Sequence, residues 1–150
     1  MERAMGSMSL ALLLAGCATA YQPLRLDGGY SEIRLNGRAF RVSFKGNFYT
    51  GQERLGDYVL LRGAELALEH GCPHFVLVDE KLRSESSGRP VYGGGIFSLK
   101  SPSAHATILC HEHDPSGDEL VYDAAMTSDS ITKKYRIRRD PPARENAQAP

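Results

Sequence analysis

The sequence predicts an α+β fold: a small sheet of about four strands with two helices packed on one face, in the order ββαββα. Three observations lead to this prediction. Short segments alternate apolar and polar residues, which is typical of strands buried on one side. A longer segment in the middle of the chain, and a second near its end, repeat apolar residues at helical spacing. Helices on one face of an antiparallel or mixed sheet bury both apolar surfaces in one core.

The composition is that of a single globular domain. The chain has 150 residues, of which 41% are hydrophobic, and its 18 basic residues balance 18 acidic residues. A chain of this size suits one domain with its own core. Because the net charge is zero, no overall field attracts nucleic acid, and we expect no nucleic-acid partner. We place the single domain at residues 28–135.

The first two strands form the clearest short-range pattern. Residues Tyr30–Leu35 alternate as a strand, and Asn36-Gly37 is a strong hairpin signal. Residues Ala39–Phe44 continue the alternation after that turn. The pattern predicts a hairpin with one buried and one solvated face.

The segment Thr50–Glu69 predicts the main helix. Thr50 and Glu53 have the spacing of a capping box, and Gly71 is placed to end the helix. The apolar residues cover a wide arc, so this helix should pack on the sheet and on a second element. The arc consists of Leu55, Val59, Leu60, Leu61, Gly63, Ala64, Leu66, Ala67 and Leu68, and the polar remainder of Arg54, Tyr58, Arg62, Glu65 and Glu69.

Two more strands and a second helix complete the predicted domain. The run Phe75–Val78 indicates a buried strand, and the alternation across His105–His113 indicates another. Residues Asp123–Tyr135 approach helical spacing, although Thr127–Thr132 is rich in residues that favour caps and strands. The predicted core includes Phe40, Val42, Phe44, Leu55, Val59, Leu66, Phe75, Leu77, Ile108 and Tyr135.

Residues 80–103 predict a long, flexible insertion. This segment contains serines, prolines and three consecutive glycines, and loops of such length are usually functional or disordered. It nevertheless carries apolar residues, which either form a short local hairpin near Val91 and Ile96 or remain available to a partner. An insertion without a role is the alternative.

The N-terminal residues indicate a lipid anchor. The apolar run Met8–Leu14 leads into Leu14-Ala15-Gly16-Cys17, which resembles the lipobox of bacterial lipoproteins. This resemblance implies that a signal peptide at residues 1–16 is removed and that Cys17 is acylated, with palmitate among its chains. The run is too short for a transmembrane helix, which needs about 20 apolar residues. A cytosolic protein with an apolar N-terminus is the alternative.

The anchor implies a compartment and an arrangement of the chain. Residues 17–27 then read as a lipidated N-terminus and tether, and the proline-containing residues 136–150 as a disordered tail. Several acyl chains hold a protein stably at a membrane. Because Ala18 follows the cysteine where inner-membrane lipoproteins commonly have aspartate, the resemblance favours the outer membrane, facing the periplasm.

Cysteine and histidine cluster in two short segments. The first holds His70, Cys72 and His74, and the second holds Cys110, His111 and His113. Thiolate and imidazole suit zinc or copper, so a metal site is one reading. Strand alternation places Cys110 opposite its two histidine neighbours, which argues against one shared ion. A Cys72–Cys110 disulfide is another reading in an oxidising compartment, and solvated histidines beside free cysteines are a third.

Catalytic patterns do not emerge from the sequence. The chain lacks G-x-S-x-G, H-E-x-x-H, Walker and G-x-G-x-x-G patterns, so we predict neither a catalytic residue nor a cofactor. His111, His113 and Asp114 could act as acid and base, which leaves an envelope hydrolase as an alternative. The favoured function is non-enzymatic binding or scaffolding in the cell envelope.

Several short segments around the main helix carry a family resemblance. They are Gly28-Gly29-Tyr30-Ser31-Glu32, Val42-Ser43-Phe44-Lys45-Gly46-Asn47, Thr50, Glu53, Asp57-Tyr58, Leu60-Leu61-Arg62, Ala64-Glu65-Leu66, Gly71, Phe75 and Tyr122-Asp123-Ala124. With these residues the chain resembles a family of small alphaproteobacterial envelope lipoproteins of unknown function, the Caulobacter-type lipoprotein family. The resemblance covers residues 10–80 best and implies a lipid-anchored envelope protein. Gly63 stands where similar sequences tend to have alanine, and Cys72 and His74 where they tend to have aromatic residues.

Overall fold

The structure, a computed structural model, describes residues 18–91, 95–115, 117 and 120–138, and it confirms the α+β class. Of residues 82–91 and 95–100 only the backbone is described. One antiparallel sheet has the strand order β1-β2-β4-β3-β5. The elements in chain order are β1 (Gly29–Arg34), β2 (Ala39–Lys45), α1 (Gln52–Glu69), β3 (His74–Val91), β4 (Gly95–His111), β5 (Val121–Asp123) and α2 (Ala124–Tyr135).

The fifth strand is the difference from the predicted order ββαββα. β5 has three residues and pairs with the first residues of β3, His74 to Val76. A strand this short carries too few alternating positions to be separated from the helix that follows it. The observed order of the described elements is therefore ββαβββα.

The predicted hairpin joins β1 and β2 around Asn36 and Gly37. The backbone N–H of Leu35 donates to the carbonyl of Ala39 over 2.8 Å, which closes the turn. Inside it, the Asn36 side-chain oxygen accepts from the backbone N–H of Arg38 over 2.8 Å. The asparagine thus stabilises the turn through its own side chain, as is common in turns.

The core lies between α1 and one face of the sheet. Both β2 and β3 pair antiparallel with β4, so α1 connects two strands that run in the same direction on either side of β4. Phe40 is in register with Ile108, and both are buried against the helix face. Eight of the ten predicted core residues are buried, whereas Leu77 and Tyr135 are partly buried.

The start of α1 differs from the predicted capping box. The N-cap is Gly51, and no side chain forms a capping hydrogen bond. The Thr50 hydroxyl instead accepts from the backbone N–H of Thr19, over 3.1 Å, and the Glu53 carboxylate pairs with Lys134. The end of α1 is as predicted, because Gly71 adopts a φ of 73°, which glycine reaches without a Cβ penalty.

Three neighbours surround α1, in agreement with its wide apolar arc. The sheet and α2 are two of them, and the N-terminal segment is the third. Tyr58, predicted on the polar strip, is only 4% exposed because its ring contacts those of Tyr21, Phe44 and Tyr135. Leu68, predicted in the arc, is 45% exposed.

The second helix packs mainly on α1. Asp123 caps it, since its carboxylate accepts from the backbone N–H of Met126 over 2.7 Å. The Tyr135 hydroxyl donates to Asp57 of α1 over 2.7 Å. Residue 137 of the predicted tail instead belongs to the domain, because Ile137 donates its N–H to the carbonyl of Thr132 and packs on the core. Residues 139–150 of that predicted tail lie outside the described residues.

Residues 80–91 and 95–103, predicted as parts of a flexible insertion, belong to two long strands. The strands of the predicted short hairpin near Val91 and Ile96 do pair, as the end of this longer pairing. β3 and β4 pair from Lys81 with His105 as far as Val91 with Gly95. The β2 pairing ends opposite Ser103, followed by one further hydrogen bond from the Gly46 N–H to the Pro102 carbonyl over 2.9 Å. Beyond Pro102 the strand pairing is that of β3 with β4. We call residues 81–91 and 95–103 the ribbon. A two-stranded ribbon has no core face, so it needs no alternation of apolar residues and gives no strand signal in the sequence.

Residues 18–27, predicted as a tether, belong to the folded domain. Pro23 bridges to Tyr30, and Thr19 is 3% exposed. Gly28 and Gly29 permit this fold-back with φ angles of 107° and 134°. A Cβ at Gly28 would lie 2.3 Å from the Lys45 carbonyl oxygen, so only glycine fits there. The domain therefore includes residues from Ala18 onward.

Candidate functional site

The N-terminal segment is fixed to the domain by a buried threonine. The backbone N–H of Thr19 donates to Thr50, and its hydroxyl accepts from the backbone N–H of Asn47 over 2.9 Å. The same hydroxyl donates to the carbonyl of Asp27 over 3.1 Å. Cys17, the predicted lipidation site, and the predicted signal peptide lie outside the described residues. The described chain thus enters the core within two residues of Cys17.

A second set of contacts holds the same segment against α1. The Tyr21 hydroxyl donates to Glu65 over 2.5 Å, and the Tyr21 ring lies 4.9 Å from that of Tyr30. Burial, and then the Glu65 carboxylate, raise the pKa of Tyr21 well above its ordinary value of 10.0. Arg62 pairs with Glu65 over 3.1 Å and with Glu32 over 2.9 Å. These contacts join β1, α1 and the N-terminal segment.

A groove of about 580 Å³ opens beside this network. Its aromatic wall is formed by Tyr21 and Tyr30, and Ile137 and Arg138 close its far end. The acidic side chains in it, Glu65 and Glu69, already pair with Arg62. Because these carboxylates already join α1 to Arg62, and Glu65 also accepts from Tyr21, we assign the groove a structural role.

Cys72 and Cys110 form a disulfide. Their Cα atoms lie 5.7 Å apart, and both residues are buried, at 5% and 2% exposure. The bond links the residue after the α1 stop to β4 on the core face. Its sulfur atoms are bonded to each other, so neither is available as a thiolate ligand or nucleophile.

The histidines near the disulfide do not converge on one point. His70 ends α1, where its Nδ1–H donates to the Leu66 carbonyl over 2.8 Å and its ring lies 4.5 Å from that of Phe40. His74 and His111 are register partners on neighbouring strands, while His113 lies exposed in the turn after β4. The Nδ1 atom of His74 is buried without a hydrogen-bond partner among the described residues.

These positions bear directly on the metal alternative. No three residues of the His, Cys, Asp or Glu type form a group that could bind an ion, within the described part of the chain. Asp123 is the register partner of His74 on its other side, but its carboxylate caps α2. The six candidates predicted from sequence, His70, Cys72, His74, Cys110, His111 and His113, are therefore not gathered into one site.

A polar basin of about 290 Å³ lies on the opposite face of the sheet, at the base of the ribbon. We call it the bulge basin; it is lined by Arg41, Asp79, Lys81, His105 and Thr107. A register shift between Val78 and Lys81 creates it, because the extra residue bends β3 away from β4. Asp79 adopts a φ of 54°, an uncommon conformation for a residue with a side chain.

The bulge basin offers charged groups rather than a catalytic pair. Arg41, Asp79 and Lys81 form no side-chain hydrogen bond or ion pair within the residues that the structure describes. Two cations and the Thr107 hydroxyl suit a carboxylate or phosphate group of a ligand. The sequence did not predict this basin, because a β-bulge brings its lining residues together. Glycine is a common sign of such a bulge, but the residue at this bulge is Asp79.

Comparisons with family models, curated proteins and solved structures returned no match to the chain. Among the described residues, none of the helices has the length and apolar character needed to cross a membrane.

Proposed function

We propose that this chain is a lipid-anchored protein of the bacterial cell envelope that acts by binding or scaffolding rather than by catalysis. The anchor is Cys17, acylated after removal of residues 1–16, and the membrane is its first partner. The resemblance to the Caulobacter-type lipoprotein family belongs to the same proposal, as does a position at the outer membrane facing the periplasm.

The burial of Thr19 is the observation that carries the proposal. A peptidase that cuts before Cys17 would leave Thr19 and its buried hydrogen bond to Thr50 in place. The disulfide between Cys72 and Cys110 supports an oxidising compartment such as the periplasm.

Substitution of Cys17 tests the anchor. Cys17→Ser should leave a protein without acyl chains that moves from the membrane to the soluble fraction. Ala20→Ser is the matched control, because it adds the same hydroxyl at an exposed position three residues later. Labelled palmitate and density-gradient separation of the two membranes give the readouts. Equal membrane partitioning of the Cys17→Ser and Ala20→Ser proteins would refute the anchor.

The ribbon is the proposed contact with an envelope protein. Its backbone extends past the last pair of β2 with β4, so its outer edges carry unpaired N–H and C=O groups. Such edges can receive a strand from another chain. The bulge basin, with Arg41 and Lys81, lies at the base of the same element.

A variant with a shortened ribbon tests whether the ribbon binds a partner or is only a spacer. Replacing residues 85–101 by Asn-Gly joins the register partners Ser84 and Pro102 through a two-residue turn. Since the removed residues pair only with each other, the domain should keep its free energy of unfolding within about 1 kcal/mol. In intact cells, crosslinking should lose a defined envelope partner with this variant. Capture of the same partners with and without the ribbon would contradict the partner site.

A further inference from the structure

The chain reaches the core immediately after the proposed lipid attachment point. Only Ala18 separates Cys17 from Thr19, and Thr19 is fixed by hydrogen bonds to Thr50, Asn47 and Asp27. Two trans peptide links span at most about 7.6 Å. Acyl chains on Cys17 would therefore hold this part of the domain at the bilayer surface. The link is too short for the domain to rotate freely relative to the membrane.

Two exposed aromatic side chains lie beside that point. Phe48 and Tyr49 occupy the loop between β2 and α1, with exposures of 56% and 59%. Their ring centroids are 3.8 Å apart, so they form one aromatic surface. Their chain neighbours Asn47 and Thr50 are the residues that bind Thr19. The aromatic pair is thus tied to the position where the chain enters the fold.

The surroundings of the pair suit a lipid headgroup region. Ala18 and Tyr49 line one shallow cavity of about 550 Å³, together with Glu53, Arg54 and Lys134. Lys134 pairs with Glu53 and Asp57, so Arg54 is the cation of this lining without an ion pair among the described residues. Tyrosine is enriched where a membrane meets water, because its ring is apolar and its hydroxyl is polar. A basic side chain such as Arg54 is attracted to the surface of an anionic bilayer.

We propose that the surface formed by Ala18, Phe48 and Tyr49, the aromatic face, rests on the phospholipid bilayer and sets the orientation of the domain. This inference rests on the proposed acylation of Cys17. It commits to lipid as the occupant, because the chain leaves the described domain toward the lipid-bearing residue at this face. The ribbon and the bulge basin then keep a fixed relation to the membrane plane.

The absence of tryptophan from the sequence allows a direct test. Phe48→Trp places the only tryptophan of the acylated full chain on the aromatic face. Ile33→Trp is the matched control, since Ile33 is 62% exposed and lies on β1, on the sheet face away from the helices. Each protein is reconstituted into vesicles of phosphatidylethanolamine and phosphatidylglycerol, with and without brominated acyl chains. Circular dichroism establishes that both variants fold.

Phe48→Trp fluorescence should shift to the blue and be quenched by brominated lipid at least threefold more than Ile33→Trp fluorescence. Equal quenching of the two proteins, or no quenching of Phe48→Trp, would overturn the orientation. A blue shift without lipid quenching would indicate a second copy of the chain as the occupant and would also overturn it.

Mass spectrometry and vesicle flotation of the same samples distinguish failure of the proposed anchor from failure of the proposed orientation. A protein without acyl mass overturns the anchor and the orientation together. An acylated, floating Phe48→Trp protein whose fluorescence is not quenched by brominated lipid overturns only the orientation.

Discussion

Gly63 of α1 lies directly against Ile108 of β4. A Cβ built at Gly63 would lie 2.6 Å from Cδ1 and 3.1 Å from Cγ1 of Ile108, and Ile108 is fully buried. Helix and sheet thus approach more closely than an alanine would allow. Glycine is otherwise unfavourable inside a helix by about 1 kcal/mol relative to alanine, so this contact explains its presence.

Gly63→Ala should therefore lower the free energy of unfolding despite its better helix propensity. Overpacking of a core costs about 1–3 kcal/mol, against a propensity gain of about 1 kcal/mol. Urea denaturation measures the net change.

Ile108→Val provides the partner for a double-mutant cycle, because it removes the Cδ1 atom that the new Cβ would meet. Gly63→Ala should cost less in that background than in the parent. A rise in stability of about 1 kcal/mol in the parent background would contradict the close approach.

Thr50 should matter through its hydroxyl and not through a capping box. Thr50→Ala leaves the buried N–H of Thr19 without an acceptor, and it also removes the donor to Asn47 over 3.0 Å. We expect a loss of about 1–3 kcal/mol and faster tryptic cleavage after Arg25, because the N-terminal segment is released.

Two substitutions serve as controls for Thr50→Ala. Thr50→Ser retains the hydroxyl and should protect most of the stability. Glu53→Ala should cost little, since Glu53 forms only a surface pair with Lys134. A larger loss in Glu53→Ala than in Thr50→Ala would favour a capping box after all.

Helices and strands were predictable where one buried face makes apolar residues recur at regular spacing, as they do in α1. Leu55, Val59 and Leu66 recur at helical spacing because one side of α1 faces the core, and all three are buried. The same logic misplaced Tyr58, because Tyr21 of the N-terminal segment and Tyr135 of α2 cover its ring beside Phe44 of the sheet. Local pattern contains no information about which distant segment folds back onto a helix.

The ribbon and the bulge basin could not be predicted from the sequence for a related reason. Two strands that pair without packing on a core need no alternation of apolar residues. The serine-rich residues 84–87 therefore have the pattern of a loop although they lie in a strand. Arg41 and Lys81 are 40 positions apart and meet through sheet register and a bulge at Asp79. Whether two such distant residues lie side by side depends on the strand order, which cannot be deduced from local sequence patterns.

The Cys72–Cys110 bond should contribute much of the stability of this domain. It closes a loop with a sequence separation of 38 residues, for which chain entropy gives a contribution of about 3–4 kcal/mol. Reductant should lower the urea midpoint of the parent protein by a corresponding amount. A double variant, Cys72→Ala with Cys110→Ala, should unfold at the lower midpoint and be insensitive to reductant. A parent midpoint that does not change on reduction, with both thiols alkylated, would contradict this contribution.

The buried phenol of Tyr21 should make the domain sensitive to alkali. Burial and the neighbouring Glu65 raise the pKa of Tyr21 in the folded protein above its ordinary value of 10.0. Above pH 10 the unfolded chain loses this proton while the folded chain keeps it. The unfolded state then binds fewer protons, so the free energy of unfolding falls as pH rises, by about 1.4 kcal/mol per pH unit for one group. The contribution is fully present below pH 10.

Tyr21→Phe tests the assignment, because it removes the titrating group while Glu65 keeps its pair with Arg62. At pH 7 the variant should lose only about 1 kcal/mol, the value of one hydrogen bond. Between pH 10 and 11 its stability should fall less than that of the parent by about 1 kcal/mol, because the unfolded phenol is only partly ionised at pH 10. Tyr49→Phe removes an exposed phenol and is the control, measured by urea denaturation at each pH. If the two variants have the same slope, Tyr21 is not the group that retains its proton in the folded domain.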